Sequence, residues 1–398
     1  MSGSSARSLD ALTGLRFLAA LHVVLFHFAR PALEPAPVWL GNLVGAGYSA
    51  VGVFFVLSGF VLAWNYLDAE GRMETGTRAF QAARLARVYP VYVLTFLLSA
   101  PPTIEASVAD NGWLLAGAKL VVGGLLTLTL AQAWVPRLAL YWNPPGWSVS
   151  VEAFFYALFP RLTRWLPRLR PARLGWALVV VWALGLAPPL AYLATRPDGP
   201  IPLDAHAWGP WLALMKFSPL ARLPEFLLGV LLGWCFVRER SAGPARGSGA
   251  VFATVGLALL VAAGMAGEAV AYPLMHNALL APASGLLVYG LARGGGWLGR
   301  WLAHPLMVRL GAASYALYLL QYPAGEAAAK LERLLSPWVD LHTPWGWLGS
   351  VLALAVPTSL LVHHFVETPL RGRMRKALQP WVDAERGAAE SRPVAPGA

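Results

Sequence analysis

Long apolar segments recur along this chain and constrain its fold more than any other feature of the sequence. A helix needs about 20 predominantly apolar residues to cross the hydrocarbon layer of a bilayer. By that measure the 398 residues predict ten transmembrane helices, over residues 11–29, 46–67, 88–106, 147–165, 174–195, 222–238, 249–267, 276–293, 309–328 and 346–366. We therefore expect an all-α membrane protein, built as a polytopic bundle of about ten transmembrane helices.

The composition agrees with that class and excludes others. Only 13% of the residues are charged, against about 25% in an ordinary soluble domain, so a soluble enzyme, a disordered protein and a nucleic-acid-binding domain are all excluded. The net charge of +11 is the excess of Lys and Arg that cytoplasmic loops of membrane proteins collect. The single cysteine, Cys235, excludes an internal disulfide. No His, Asp or Glu cluster has the spacing of a metal site, so we expect no metal and no tightly bound cofactor.

The distribution of basic residues predicts the orientation of the chain. The loop 161–173 carries five arginines and no acidic residue, and residues 371–376 add four basic residues. These segments fall on one side only if the apolar stretch 113–135 does not cross the membrane once. We therefore expect 113–135 to be re-entrant or interfacial on the outer side. Both termini are then cytoplasmic, in a multi-pass membrane protein.

The chain shows one membrane domain and a short tail. Residues 8–376 hold all of the predicted helices, whereas 377–398 are small, polar and rich enough in Pro to predict a disordered cytoplasmic tail. The apolar stretch at the N-terminus contains Arg16 and His27, which a cleavable secretory signal would not, so we interpret it as a retained first helix.

The first predicted helix carries the most unusual polar residues. Arg16 and His27 are 11 residues apart, which places them on one helix face about 16 Å apart along the axis. His22 lies about 140° away from His27 by the same geometry. Ionisable residues inside a membrane segment indicate function by default. The alternatives are that Arg16 is a snorkelling interfacial anchor and that His27 makes a structural hydrogen bond.

Two arginines three residues apart, Arg84 and Arg87, share a face near the cytoplasmic end of the third helix. Paired guanidinium groups suit bidentate binding of phosphate. The alternative is that they only follow the positive-inside pattern.

Glu152 lies one turn into a membrane helix, with Ser148 four residues earlier on the same face. A carboxylate there needs a partner, an ion or a proton, and a structural pairing with an arginine is the alternative. Arg222 and Glu225 form a second set. Their i, i+3 spacing favours a local ion pair over a binding site.

Seven segments in order resemble the acyltransferase-3 family of integral-membrane O-acyltransferases. They are DALTGLRFLAALHVVLFHF, VGVFFVLSGF, ARLARVYPVY, WSVSVEAFFYALFP, LPEFLLGVLLG, GAASYALYLLQYP and FVETPLR. The resemblance implies a ten-helix bundle that modifies bacterial polysaccharides, lipopolysaccharide or macrolides. It also matches three family motifs, Arg-x10-His, Arg-x-x-Arg and Trp-Ser-x-x-x-Glu, to Arg16 and His27, to Arg84 and Arg87, and to Trp147, Ser148 and Glu152. Many members have His where this chain has Gln321, and a glutamine cannot titrate as a proton relay requires.

We therefore expect an enzyme of the bacterial inner membrane. It moves an acyl group, usually acetyl, from cytoplasmic acyl-CoA as co-substrate to a hydroxyl of a carbohydrate, cell-surface glycan or macrolide. Each candidate residue has an expected role. His27 is the general base, Arg16 stabilises the oxyanion or positions the CoA arm, and Glu152 orients His27 or the acceptor. Arg84 and Arg87 bind the CoA phosphates, and the candidate substrate-binding residues are Trp147, Ser148, Arg222 and Glu225.

Direct transfer without a covalent enzyme intermediate is the expected route, because no activated Ser or Cys arrangement is visible. An acyl-His intermediate is the alternative route. The alternative function is a membrane transporter of an acyl donor or a glycan precursor, in which ionisable residues at the midplane are equally expected. Beyond substrates, the expected partner is the lipid bilayer, with no nucleic acid, and the oligomeric state is left open.

The predicted topology can be tested by cysteine labelling. On a background without Cys235, a cysteine at Ser248 and a cysteine at Asp204 should react with membrane-impermeant reagents from opposite sides, because the loops that contain them alternate across the membrane. Labelling of both positions from the same side would contradict the topology.

Overall fold

The computed structural model describes residues 9–243, 249–335 and 343–390, and side chains as far as residue 385. The first half contains the helices α1 (Asp10–Phe28), α2 (Arg30–Leu33), α3 (Val38–Gly45), α4 (Ala50–Tyr66), α5 (Thr77–Leu128), α6 (Gly146–Leu162), α7 (Leu174–Thr195), α8 (Pro210–Phe217) and α9 (Pro219–Ala242). The second half contains α10 (Gly249–Ala266), α11 (Tyr272–His276), α12 (Ala281–Ala292), α13 (Gly296–Leu302), α14 (Pro305–Ala312), α15 (Ser314–Leu335), α16 (Pro344–Val362), α17 (Thr368–Ala377) and α18 (Gln379–Glu390). Across these ranges the chain forms helices and connecting loops with no β-strand, which confirms the all-α class.

Seven helical segments of the described ranges are long and apolar enough to cross a membrane, so the count of about ten is not confirmed. They are Asp10–Phe28, Val38–Tyr66, Thr77–Leu128, Pro171–Thr195, Pro210–Ala242, Gly249–Ala269 and Pro344–Ala377. The other three predicted spans correspond to α6, α12 and α15. Helix α6 has 17 residues and α12 has 12. Helix α15 carries Glu326, Lys330 and Arg333, which lower its hydropathy.

The segment 113–135 begins with a sharp turn in α5. Gly112 is non-helical, with φ 69° and ψ 165°, a conformation that glycine adopts without steric cost. The chain then returns along the first leg of α5. The hydroxyls of Tyr89 and Tyr92 donate to the carbonyl oxygens of Leu128 and Thr127 at 2.7 and 3.0 Å. The return leg therefore ends part-way along the first leg. Its placement in a bilayer stays a prediction.

Helix α4 lies in the core of the bundle and packs tightly on α9. A Cβ atom on Gly59 would collide with the backbone oxygen of Phe226, and one on Gly229 would collide with the oxygen of Val56. The two backbones therefore touch, as in other membrane helix pairs with small residues at the contact. Because α9 packs on this face of α4, another face of α4 is left to line a cavity.

The predicted tail begins with an ordered helix. Residues 379–390 form α18, and residues 391–398 lie outside the described part of the chain. Helix α18 docks on the start of α5, where Arg78 donates through its backbone N–H to Glu385 at 2.9 Å and through its guanidinium to the carbonyl of Trp381 at 3.2 Å. These contacts hold α18 against α5, although the small and polar composition of the segment had predicted disorder.

Candidate active site

Five helices enclose a cavity of about 620 Å³, counted with its open mouth. Helix α1 contributes Arg16, α5 contributes Arg87, α6 contributes Glu152, and α15 contributes Tyr318. Apolar side chains of α4, among them Phe55, form the opposite wall. Residues far apart in the sequence thus meet inside the bundle.

The three charged residues of this cavity are not paired with one another. No ion pair within 4.0 Å joins Arg16, Arg87 or Glu152 to another described side chain, although all three line the same space. All three are half-buried. Holding such charges away from bulk water is costly unless water or a ligand solvates them. With two arginines and one glutamate, the cavity favours an anionic ligand.

Arg84 faces a neighbouring cavity. Its guanidinium donates to the Tyr66 hydroxyl at 3.1 Å and lies 5.4 Å from the centre of the Tyr66 ring. The second cavity, of about 710 Å³, is lined by Arg84, while Val88 and Tyr156 line both cavities. The two arginines of the Arg-x-x-Arg motif therefore line adjoining cavities, and only Arg87 lines the same cavity as Arg16.

Ser148 and Tyr318 join α6 to α15 at the wall of the first cavity. The Ser148 hydroxyl lies 2.9 Å from the Tyr318 hydroxyl and 3.0 Å from the carbonyl oxygen of Pro145. Both side chains are buried, at 8% and 7% exposed. The two hydroxyl groups are therefore held in place at the cavity wall, where they can contact a molecule bound between Arg16 and Glu152.

His27 is held on α1 by a glutamine of α15. The Nδ1 atom of His27 lies 2.8 Å from Oε1 of Gln321, whose Nε2 atom donates to the carbonyl oxygen of Tyr318 at 2.6 Å. A carbonyl can only accept, so the amide of Gln321 must turn its oxygen toward His27. The Nδ1 atom of His27 is therefore the protonated donor, and in the neutral ring the Nε2 atom carries the lone pair.

His27 and the charged cavity lie at different depths of α1. His27 is not among the residues that line the cavity, in keeping with the rise of about 16 Å that separates it from Arg16. Helix α15 connects the two places, because Tyr318 lines the cavity and Gln321, one turn later, binds His27.

Trp147 lies behind the cavity wall. It is 6% exposed and packs edge-on against Phe217 with ring centres 5.1 Å apart. Its ring also stacks near His276 at 6.2 Å. Trp147 therefore packs next to Ser148 and does not line the cavity.

Arg222 and Glu225 form a buried network in α9. Their ion pair is 3.0 Å long, and the two side chains are 0% and 3% exposed. Arg222 also donates to the backbone oxygen of His276, and its Nη1 atom lies 3.0 Å from the His276 Nδ1 atom. Because arginine only donates, His276 accepts through Nδ1 and is neutral. The guanidinium lies 5.3 Å from the ring centre of Phe55, which separates it from the cavity.

Sequence reasoning did not single out Tyr318. Its signal in the sequence is its spacing, three residues before Gln321 in the segment YLLQYP. That spacing puts both residues on one face of α15. Gln321 stood out only as a departure from the family pattern, and its bond to His27 spans 294 residues of sequence. Among the described residues, no group of three His, Cys, Asp or Glu side chains could hold a metal ion.

The chain matches the family model described as an acyltransferase domain, acyltransferase family 3, over residues 9–364. It is 31% identical over 388 residues to acyltransferase MdmB of Streptomyces mycarofaciens, with 92% of this chain and 93% of the relative covered. It is also 34% identical to protein 2 in the picA locus of Rhizobium radiobacter, covering 40% of this chain and 85% of that one. The exopolysaccharide production protein ExoZ of Rhizobium meliloti is 27% identical, with 89% and 96% covered. No solved structure matches the chain.

These helices and this cavity thus belong to a membrane acyltransferase, one that transfers groups other than aminoacyl groups. The chain is a member of the acyltransferase-3 family, as the seven motif segments indicated.

The contacts of Arg222 and Glu225 favour the structural alternative, which can be tested by single and double replacement. Arg222→Met should cost about 3–5 kcal/mol of stability, because it leaves the buried carboxylate of Glu225 without its partner. Arg222→Met combined with Glu225→Met should recover much of that loss. Thermal unfolding in detergent measures both changes. A stable double variant with a raised KM for either substrate would instead show that the pair binds substrate.

Proposed function

We propose that this protein transfers an acyl group, with acetyl the expected one, from cytoplasmic acyl-CoA to a hydroxyl of a carbohydrate, cell-surface glycan or macrolide. Its place is the bacterial inner membrane, with both termini cytoplasmic. The observation that carries the proposal is the cavity inside the bundle, where Arg16, Arg87 and Glu152 meet without ion-pair partners. The membership of the family and the name of ExoZ, which concerns exopolysaccharide production, agree with it.

The donor site begins at the two adjoining cavities. CoA carries phosphate groups at one end and the thioester at the other, joined by a long flexible arm. Arg84 and Arg87 present guanidinium groups suited to phosphate, each in one of the cavities. The arm then extends past Arg16 toward His27. Because an extended arginine side chain covers less than half of the distance between these two residues, Arg16 positions the arm and does not share the reacting centre with His27.

The chemical step needs a base beside the acceptor hydroxyl. The Nε2 atom of His27 takes the hydroxyl proton while the oxygen attacks the carbonyl carbon of the thioester. The tetrahedral intermediate collapses as the carbon–sulfur bond breaks. The imidazolium then returns its proton to the departing thiolate, so the products are the ester and free CoA. No covalent enzyme intermediate is required.

Glu152 acts at the Arg16 end of this path. It lines the cavity with Arg16 and Arg87, whereas His27 lies elsewhere on α1. The single carboxylate of Glu152 reduces the repulsion between the neighbouring arginines. It also orients their guanidinium groups when no donor is bound. Glu152 is therefore proposed as the residue that orients Arg16, in place of the His27-orienting role that the sequence left open. That orienting role passes to Gln321, which contacts His27 directly.

Transfer from labelled acyl-CoA tests the function as a whole. Purified protein in proteoliposomes is given [1-¹⁴C]acetyl-CoA with panels of oligosaccharides and macrolides, and labelled esters are separated by chromatography. An ester that depends on the protein supports the proposal. Movement of label into the lumen without any ester would support the transporter instead.

Removal of the phosphate-binding charges should mainly weaken donor affinity. Arg87→Ala or Arg84→Ala loses charge-assisted hydrogen bonds worth about 1.5–3 kcal/mol, or roughly 10- to 150-fold in acetyl-CoA affinity. An acetyl-pantetheine thioester lacks the nucleotide phosphates, so its affinity should hardly change. Equal losses for the two donors would contradict a role in phosphate binding.

Removal of the base should abolish turnover without loss of donor binding. His27→Ala is expected to lower the rate about 10²- to 10⁴-fold, the usual range for loss of a general base. His22→Ala is the matched control, because His22 lies on another face and its ring is bonded to the carbonyl of Leu43 at 2.8 Å. Rates are compared at equal thermal stability. A His27 variant that keeps more than about a tenth of the activity would refute the assignment and direct attention to Glu152.

Gln321 is a positioning residue, and the pH profile distinguishes that role from simple packing. Gln321→Leu removes the acceptor for Nδ1 and should lower kcat about 10- to 100-fold, as when other orienting partners of histidine are lost. Gln321→Glu keeps an acceptor but adds a negative charge that stabilises the imidazolium. Its acid limb should therefore move to higher pH, because the base is protonated more readily. An unshifted profile in an active Gln321→Glu variant would show that Gln321 does not act through His27.

A further inference from the structure

A cleft of about 960 Å³, counted with its open mouth, lies between the far end of α5 and helix α15. We call it the α5–α15 cleft. It combines three aromatic rings with three charged side chains, namely Tyr141, Trp142 and Tyr322 with Asp110, Lys119 and Glu326. Its volume lies within the range of small-molecule sites. None of the roles assigned above uses it.

The aromatic wall of the cleft is fixed before any ligand binds. The Trp142 ring stacks on Phe96 with centres 4.2 Å apart and planes 9° apart, and its indole N–H donates to the Phe96 carbonyl at 2.8 Å. The Tyr141 hydroxyl is bonded to the Ser107 hydroxyl at 2.8 Å. A wall held in this way loses little conformational entropy on binding.

The carboxylates of the cleft remain available. Asp110 and Glu326 are exposed, and within the described ranges neither forms a hydrogen bond or an ion pair. Lys119 is engaged, because it donates to the side-chain oxygen of Asn111. Ionised carboxylates only accept hydrogen bonds, so they suit a ligand that presents hydroxyl donors.

The cleft adjoins the proposed base. The Tyr322 ring lines the cleft and lies 5.2 Å from the imidazole of His27, measured between ring centres. On the first leg of α5, the cleft residues 98–110 lie about 16 to 35 Å beyond Arg87. The cleft therefore lies at a different depth of the bundle from the cavity that contains Arg16 and Arg87, and His27 lies beside the cleft.

We propose that the α5–α15 cleft is the acceptor subsite and that it takes a sugar ring. The inference rests on the proposed function, since it assigns a place to the acceptor of that reaction. A pyranose has an apolar C–H face that packs on aromatic rings and a rim of hydroxyls that donates to carboxylates. A wholly apolar ligand would leave Asp110 and Glu326 desolvated without partners. An anionic ligand would meet two like charges.

Binding can be measured without turnover. Saturation-transfer NMR on the full chain in detergent uses four probes, the methyl glycosides of glucose, galactose, rhamnose and N-acetylglucosamine. At least one should receive saturation at its ring C–H protons. Tyr322→Leu and Asp110→Asn should each reduce that signal several-fold. Glu105→Gln is the matched control, an exposed carboxylate on the same helix and outside the cleft.

The sugar that binds is then used as acceptor with acetyl-CoA. The two cleft variants should raise the KM for the sugar about tenfold, while the KM for acetyl-CoA stays within twofold. The proposal is overturned if none of the four sugars receives saturation, if only detergent signals do, or if the cleft variants bind and react like the Glu105→Gln control. Loss of binding in the cleft variants together with no transfer by the unmodified protein would uphold the sugar site and reject the proposed reaction.

Discussion

Two of the sets of charged residues inside this helical bundle differ in their partners, and the cost of removing charge from water decides what each of these sets can do. Arg222 and Glu225 meet much of that cost internally, through an ion pair and hydrogen bonds from Arg222 to His276, the last residue of α11. Arg16, Arg87 and Glu152 do not meet the cost in this way, because each side chain faces a cavity and has no ion-pair partner beside it. The same cost of desolvation thus leaves one internally paired network and one site whose charges require a ligand or water.

Helix α1 sets the length scale of the proposed reaction. Arg16 and His27 share a face but are separated by about three turns, so no single reacting centre contacts both. In the proposed reaction a donor with a long arm spans that distance, with its phosphates at the arginines and its thioester at the base. Helix α15 runs beside the same path, since Tyr318 lines the cavity and Gln321 holds His27. A short acyl donor would reach either the arginines or His27, but not both.

The sequence predicted the all-α class, and it also marked Arg16, Arg87 and Glu152 as charged residues within apolar segments. That 113–135 does not cross the membrane once stays a prediction, and the chain turns sharply at Gly112, just before that stretch. The count of spans was less accessible, because α15 pairs an apolar start with Glu326 and Lys330. The role of Gln321 depends on a contact across 294 residues, which no local pattern encodes.

The central claim is that donor and base act from opposite ends of one path through the membrane. Sealed vesicles of opposite orientation test it, with [1-¹⁴C]acetyl-CoA added outside only and the natural acceptors of the host membrane retained. Vesicles of the His27→Ala variant serve as the blank. The account predicts labelled ester in inside-out vesicles, where the arginine end faces the added donor, and none above the blank in right-side-out vesicles. Equal labelling in both orientations would contradict it.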